Sequence, residues 1–228
     1  MNRQAHTQPV LGGDRPLMEL VGEAAGVDPQ RILAHELITA DAQRGELLGD
    51  LLAAGRLDNL TSVWASLEAL LAAKDASRDI LVLAAFNHEE VGSASTTGAG
   101  GPLLERVLHR IAREIGDPFD VFSRSFQVSA DAAHAVHPNY PDKHDPTHRP
   151  RLNAGPVLKI NANQRYASDA VTEAEWLRAC RAAGVPSQTF VGNNDVPCGS
   201  TIGPISSTRM GIRTVDVGVP LSPCLPRA

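Results

Sequence analysis

The sequence lacks the long apolar run and the secretory leader that mark membrane-inserted or exported proteins. Its longest apolar run, residues 80–86, is much too short to cross a bilayer. Residues 1–9 contain no apolar segment of the kind that a secretory signal needs. The sequence therefore predicts a cytoplasmic protein with no membrane partner.

Basic runs and paired cysteines are missing as well. The formal net charge is −5 and no stretch is rich in lysine or arginine, which argues against a nucleic-acid partner. The three cysteines, Cys180, Cys198 and Cys224, are odd in number and form no C-x-x-C pair. Neither a disulfide framework nor a cysteine-rich zinc site is therefore expected.

The apolar pattern predicts alternating helices and strands, and this alternation after Leu57 indicates an α/β layered domain. Residues 1–54 read as a separate piece. The run at 79–86 has the continuous apolar character of a strand buried on both faces of a sheet. Asp58 and Asn59 are expected to cap the helix that they begin. Helices are predicted over 15–26, 60–71, 102–115, 171–183 and 201–210, and strands over 31–38, 79–86, 125–130, 156–160 and 212–217.

Chemically reactive side chains follow two of the predicted strands. Asn87-His-Glu-Glu-Val-Gly-Ser93 follows the first, and Asp131, His134 and His137 follow the second. In open α/β sheets, functional groups gather outside the carboxyl ends of the strands. A carboxylate that emerges from a buried strand needs a partner, which can be a divalent cation or a lysine or arginine.

The neighbouring glutamates favour a division of labour. Side chains next to each other on extended backbone point to opposite sides, so Glu89 and Glu90 are not expected to bind one metal from the same face. One would ligate and the other would act as a general base, and the alternative is a solvated loop pair. His134 is expected to hydrogen-bond in a polar turn, and histidines 6, 35, 109, 144 and 148 to lie at the surface or in turns.

Several ordered stretches resemble the aspartyl aminopeptidase family of zinc exopeptidases, from near the start of the chain to about Pro220. The first are Arg56-Leu-Asp-Asn-Leu60, Asn87-His-Glu-Glu-Val-Gly-Ser93 and Ser129-Ala-Asp-Ala-Ala-His-Ala-Val-His-Pro-Asn-Tyr140. They continue with Asp142-Lys-His144, His148-Arg-Pro150, Gly155-Pro-Val-Leu-Lys159, Gln164-Arg-Tyr-Ala-Ser168, Asn194-Asp-Val-Pro-Cys-Gly199 and Thr201-Ile-Gly-Pro204.

This resemblance implies an α/β, three-layer domain of the zinc-exopeptidase type, present incompletely, with part of an inserted oligomerisation domain. Residues 1–54 would be the latter part of the inserted domain, and residues 55–228 the C-terminal portion of the metallopeptidase domain. A homo-oligomer is expected by the same comparison.

The resemblance also implies a role for each matching residue. Two divalent metal ions, zinc in the family, would be held by Asp58 as a bridge, by Glu90 on one ion and by Asp131 on the other. Glu89 would be the general base. His137 and Tyr166 would lie against the scissile bond, and Lys159 would pair with the acidic side chain of an N-terminal Asp or Glu.

Two histidine ligands of the family have no counterpart in this sequence. One belongs to a segment that precedes the inserted domain, and the other follows the closing strand, where this chain reads Leu221-Ser-Pro-Cys-Leu-Pro-Arg-Ala228. The main hypothesis is an aminopeptidase that removes N-terminal acidic residues from peptides by attack of a metal-activated water. The alternatives are a catalytically inactive, truncated remnant and a metal- or partner-binding module that uses His134 and His137.

Overall fold

A computed structural model describes residues 2–73 and 79–222 of the chain, with Arg3 described by its backbone alone. The chain divides into two compact units, Met1–Gly55 and Arg56–Ala228. Within the described ranges, no helix is long and apolar enough to cross a membrane. Residues 221–228, the tail that departs from the family pattern, lie largely outside the described residues, which end at Ser222.

The first unit contains two helices and a hairpin. They are α1 (Arg3–His6), α2 (Leu17–Ala25), β1 (Glu46–Leu48) and β2 (Leu51–Ala53), with a 3-10 turn at Pro29–Arg31. The predicted helix at 15–26 is confirmed as α2, which ends at Gly26 in the left-handed conformation that glycine favours. The predicted strand at 31–38 is wrong. That segment follows the 3-10 turn without pairing, and a strand needs a partner to satisfy its backbone groups.

The second unit is built on a four-stranded mixed sheet with strand order β3-β6-β4-β5. Strand β3 runs parallel to β6, β4 runs antiparallel to β6, and β5 runs parallel to β4. Its helices are α3 (Leu57–Ala72), α4 (Leu103–Arg113), α5 (Pro118–Ser123), α6 (Ala170–Ala183) and α7 (Ile202–Met210), and its strands are β3 (Phe126–His134), β4 (Val157–Ile160), β5 (Gln188–Val191) and β6 (Arg213–Leu221).

Helices cover both faces of this sheet. Trp176 of α6 packs against the apolar cluster of Leu158 and Val215 on one face. From the opposite face, the amide of Gln127 donates to the hydroxyl of Ser206 on α7 at 2.6 Å. Ala130 of β3 packs against the same apolar cluster as Trp176. Side chains alternate along a strand, so Gln127 and Ala130 point to different faces of the sheet. The three-layer α/β prediction is therefore confirmed.

The apolar run at 79–86, predicted as a buried strand, belongs to no strand of the described sheet. Ile80, Leu81 and Val82 are about half exposed, at 54%, 45% and 49%. An apolar run is buried on both faces only where strands flank it and helices cover it. Within the described residues the sheet stops at β3, so this run has no such environment and the prediction of a strand there is wrong.

Helix α3 forms where it was predicted, but its apolar stripe does not face the sheet. Leu60, Trp64, Leu67 and Leu71 are all exposed, and Trp64 keeps 65% of its surface accessible. The residue of α3 that is buried is Ser62. The predicted helical period is therefore confirmed, and side-chain hydrogen bonds from Asn59 and Ser62 hold this helix to the sheet.

Candidate metal centre

The start of α3 is fixed to the middle of β3 by two side-chain hydrogen bonds. The amide of Asn59 donates to the carbonyl oxygen of Ala130, and the hydroxyl of Ser62 donates to the carbonyl oxygen of Asp131, both at 2.9 Å. Asp58 and Asn59 have non-helical backbone angles. Asn59 therefore binds the strand rather than capping its own helix, which corrects the sequence prediction and brings Asp58 beside Asp131.

The two glutamates lie in a 3-10 turn, Glu89–Val91, and not on extended backbone. His88 and Gly92, on either side of the turn, have left-handed backbone angles. Successive side chains in a 3-10 helix diverge by about 120°, so the argument for strictly opposite faces does not hold. Glu89 is half-buried and Glu90 is exposed, which separates the two side chains by environment instead.

The turn is held by a compact loop, residues 92–101. The Ser93 N–H donates to the carbonyl oxygen of His88 at 2.7 Å, and the Gly100 N–H donates back to the carbonyl oxygen of Ser93 at 3.1 Å. Arg209 of α7 closes the loop, because its guanidinium donates to the carbonyl oxygens of Gly100 and Gly101 at 2.6 and 2.8 Å. The glutamate turn is thereby anchored to the same helix that covers the sheet.

Four carboxylates gather around this junction and interact electrostatically. Burial raises the pKa of Asp58, and the neighbouring carboxylates of Asp131 and Glu90 raise it further. Burial likewise raises the pKa of Glu89, followed by the effects of Asp131, Glu90 and Asp58. Lys159 opposes these shifts by lowering the pKa of both groups. Asp58, Glu89, Glu90 and Asp131 are thus near enough for their charges to influence one another.

Lys159 is the cation at the centre of this cluster. Its ammonium donates to Oδ2 of Asp131 at 2.8 Å and lies 5.3 Å from the centre of the Tyr166 ring. The residue is only 3% exposed. In register terms, Asp131 of β3 pairs with Gly218 of β6, and Gly218 pairs with Val157 of β4. Lys159 lies two residues after Val157 on the same face of β4, and Gly218 adds no side chain on that face of β6.

Tyr166 is buried beside this ion pair. Burial is the main cause that raises the pKa of its phenol, and a hydrogen bond with Cys198 adds to it. The segment that follows Tyr166 is attached to the fully buried Asp216 of β6, because the Ala167 N–H donates to Oδ2 of Asp216 at 2.5 Å. Thr201 donates its hydroxyl to Oδ1 of the same carboxylate at 2.6 Å.

His137 is not brought into the cluster. Its Nδ1 accepts from the Asn139 N–H at 3.1 Å, and its ring lies 5.3 Å from that of Tyr140. His144, which was expected at the surface or in a turn, is buried, with its Nε2 donating to the carbonyl oxygen of His134 at 3.2 Å. Its burial corrects the prediction, and follows from its bridge to Gly192 and its edge contact with Phe190.

The donor set of the cluster suits a divalent cation in its chemistry. Carboxylate oxygens are ligands of zinc and other divalent ions, and four carboxylates around one lysine leave excess negative charge for a cation to neutralise. Across residues 2–73 and 79–222, however, no group of three His, Cys, Asp or Glu side chains is placed to hold a metal ion. The candidates for metal contact are therefore Asp58, Glu90 and Asp131, without a closed coordination shell.

Three residues that shape the site were not found from the sequence: Asn59 as a link to the strand, Ser62 and Asp216. Asn59 and Ser62 bind partners 71 and 69 residues away along the chain. Asp216 binds a loop 49 residues before it. No local pattern reports such separations, although an aspartate inside an apolar strand, Val215-Asp-Val217, is a signal that a buried carboxylate with partners is required.

A three-layer α/β unit with interacting carboxylates beside its strands has ligand chemistry that suits a metal-dependent hydrolase. Comparison with protein families agrees with this class. The chain belongs to the Aminopeptidase I zinc metalloprotease family (M18), because the sequence model of that family matches residues 8–223.

Individual relatives support the same assignment. A probable M18 family aminopeptidase 2 from Streptomyces coelicolor is 45% identical over 96% of this chain and 54% of its own length. Its counterpart from Azotobacter vinelandii is 51% identical over 83% of this chain and 44% of its own length. The chain therefore spans about half the length of the curated relatives that it matches.

Solved structures give the same picture of the fold. The chain is similar to a protein in the structure of the Ape4 and Nbr1 complex, with a TM-score of 0.82 and 36% identity, covering 96% of this chain and 46% of the other. Yeast aminopeptidase 1 (Ape1) gives a TM-score of 0.73 at 31% identity, covering 91% of this chain and 48% of the other.

Proposed function

We propose that this chain provides part of the active site of an M18 aminopeptidase that removes N-terminal Asp or Glu residues from peptides. The observation that carries the proposal is the convergence of four carboxylates with one buried lysine, Lys159, at the junction of α3, the glutamate turn and β3. A site with this charge pattern suits both a divalent cation and a substrate with an acidic side chain.

Asp58, Glu90 and Asp131 are the residues that would hold two divalent metal ions, with Asp58 between the two sites. Zinc is the metal of the family. When bound, such ions polarise the scissile carbonyl and lower the pKa of water. Catalytic zinc takes about three protein ligands, so these three carboxylates alone would hold two ions weakly.

Glu89 is proposed as the general base. Its raised pKa moves it towards the range in which a carboxylate accepts a proton from water and returns it to the leaving amine. Tyr166, buried beside Lys159, would orient the substrate near the scissile bond. His137 would approach from the loop after β3, although its present contacts are with Asn139 and Tyr140.

Lys159 is proposed to select the acidic side chain of the substrate. Its positive charge lowers the pKa of both Asp58 and Glu89, and a charge-assisted hydrogen bond from an ammonium to a carboxylate is both short and strong. A homo-oligomer is proposed because the structure of a yeast mApe1 relative is a dodecamer. That the first compact unit is part of an oligomerisation domain stays a prediction from the family resemblance. The cytoplasmic location stays a prediction from the sequence.

The test is release of aspartate from an Asp-initiated peptide by the purified chain, with added zinc or manganese and without metal. We expect metal-dependent release that Glu89→Gln abolishes, because the amide cannot accept the proton. Glu114→Gln, at an exposed glutamate outside the cluster, is the matched control and should keep full activity.

Two results would contradict the proposal. Full activity in Glu89→Gln would exclude this residue as the base. Release of alanine from an Ala-initiated peptide as fast as aspartate would exclude acidic specificity. No release at any metal concentration would favour the alternative, an inactive remnant that does not complete the site by itself.

A further inference from the structure

Helix α7 connects two groups that the proposed function places beside the substrate, and the inference about this helix rests on that function. The start of α7 meets the segment that carries Tyr166, through Asp216. Its last turn carries Arg209, which holds the loop behind the turn of Glu89. The helix has nine residues and is therefore about 14 Å long.

The start of α7 lies directly against the Asp216 carboxylate. Thr201 occupies the N-cap position, but its hydroxyl donates to Oδ1 of Asp216 at 2.6 Å and makes no cap hydrogen bond within its own helix. A Cβ at Gly203 would collide with both oxygens of this carboxylate, so only glycine allows the first turn to come so near. The negative charge also interacts favourably with the positive end of the helix.

The residues on both sides of Tyr166 are tied to the same place. The Ser200 hydroxyl, one residue before the cap, donates to the carbonyl oxygen of Arg165 at 3.2 Å. After Tyr166, the Asp216 N–H donates to the hydroxyl oxygen of Ser168 at 2.9 Å. The backbone around Tyr166 therefore follows the start of α7 and the adjoining part of β6.

The last turn of α7 is held equally firmly. The Arg209 guanidinium, besides its bonds to the loop at 92–101, donates to Oε2 of Glu105 on α4 at 2.6 Å. Met210 is buried in a cluster with Ala112 of α4 and Phe122 of α5. Closely packed interiors are nearly incompressible and transmit strain, so a shift at one end of the helix should be felt at the other.

We propose that α7 sets the position of Tyr166 relative to the glutamate turn, with Asp216 and Arg209 as positioning residues at its two ends. Neither residue touches the substrate in this proposal, and each acts through the group that it holds. A displacement of about 1 Å that originates far from the reacting atoms can lower a rate by about 100-fold.

Hydrogen exchange in Thr201→Val is the first test. The substitution keeps the shape of the side chain and removes the donor to Asp216. Exchange across residues 92–101, at the opposite end of the helix, should accelerate by about threefold or more. Thr208→Val is the matched control, because the Thr208 hydroxyl is exposed and donates to Pro204 within α7 itself; it should leave that loop unchanged.

Arg209→Ala provides the test in the other direction. It should accelerate exchange of the Ala167 N–H, which donates to Asp216 beside the start of α7, by about threefold or more. The amides of β4 (Val157–Ile160) report global unfolding in the same samples. Acceleration confined to the end that was altered, or equal acceleration in β4, would overturn the proposal.

Aspartate release from an Asp-initiated peptide, with added zinc, separates this inference from the proposed function. Thr201→Val should lower kcat by about tenfold or more, and Thr208→Val should keep it. Coupled exchange in a chain that releases no aspartate supports the role of α7 and contradicts the aminopeptidase proposal alone. Aspartate release with exchange effects that stay local overturns the role of α7 alone.

Discussion

Replacement of the buried Asp216 by asparagine tests whether one carboxylate organises the loops beside the candidate site. Its two oxygens accept from the Ala167 N–H at 2.5 Å and from the Thr201 hydroxyl at 2.6 Å, and the residue is 0% exposed. Asparagine has nearly the same volume but one acceptor oxygen. One of the two donors must therefore face an NH₂ group and lose its partner.

The size of the effect follows from these contacts. A hydrogen bond to a charged group contributes about 1.5–3 kcal/mol, and a buried donor without a partner costs about 1–3 kcal/mol. We expect Asp216→Asn to lower the free energy of unfolding by about 3 kcal/mol. With a urea m-value of about 2 kcal/mol/M, the unfolding midpoint should fall by about 1.5 M.

Tryptophan fluorescence during urea unfolding is a suitable assay, because both tryptophans, Trp64 and Trp176, belong to the second unit. Asp142→Asn at an exposed aspartate is the control, and its stability should stay within about 0.5 kcal/mol of the unaltered chain. A change of that small size in Asp216→Asn itself would refute the reasoning, since it would mean that neither hydrogen bond depends on the carboxylate.

Two further predictions concern the glutamate turn and the acidic cluster. Arg209→Ala removes the donors to the carbonyl oxygens of Gly100 and Gly101, so amide hydrogen exchange across residues 92–101 should accelerate by about tenfold or more. Arg209→Lys should restore part of the protection. Unchanged exchange in the alanine variant would show that the loop keeps its structure without Arg209. Because the folded chain has raised pKa values at Asp58 and Glu89, it binds these protons more tightly than the unfolded chain, and the associated stability is lost as the pH rises through the folded pKa values. Asp58→Asn should therefore become more stable relative to the unaltered chain as the pH rises above about 4, the usual pKa of an aspartate in an unfolded chain. The gain should be about 1 kcal/mol or less, because the Asp58 carboxylate is only partly desolvated and the solvent that still reaches it screens its charge. Urea unfolding over a pH series that starts at about 4 is the measurement, and a pH-independent difference would contradict the prediction.

Local patterns were sufficient to predict most elements of the second unit. Helices α4, α6 and α7 and strands β3, β4 and β6 all form where the apolar periodicity indicates, with ends that differ by a few residues. Two elements were missed: the short helix α5, which begins after the Asp117 cap, and β5, which has only four residues. Both are too short for their period to stand out from loop sequence.

The failures have a common physical cause, because strand formation depends on neighbours that are distant in the sequence. The apolar runs at 31–38 and 79–86 have strand-like composition, yet neither pairs in the described sheets. The site shows the same limit. Motif similarity pointed to four carboxylates whose charges influence one another in the structure. The ion pair between Lys159 and Asp131, in contrast, joins residues 28 positions apart and required the fold.

The exposed apolar side of α3 and the open edge of β3 also influence how this chain behaves in solution. Leu60, Trp64 and Leu71 are turned to solvent, and Phe126 and Val128 lie exposed on the edge strand. Asn59 and Ser62 of α3 already bind the carbonyl oxygens of Ala130 and Asp131, but the rest of this edge has no further strand partner among the described residues. Backbone groups on such an edge are a template for pairing with another extended chain, and adjoining apolar surface adds to the attraction. The purified chain should therefore be prone to self-association. This tendency should rise with protein concentration and fall when a charged residue replaces Trp64.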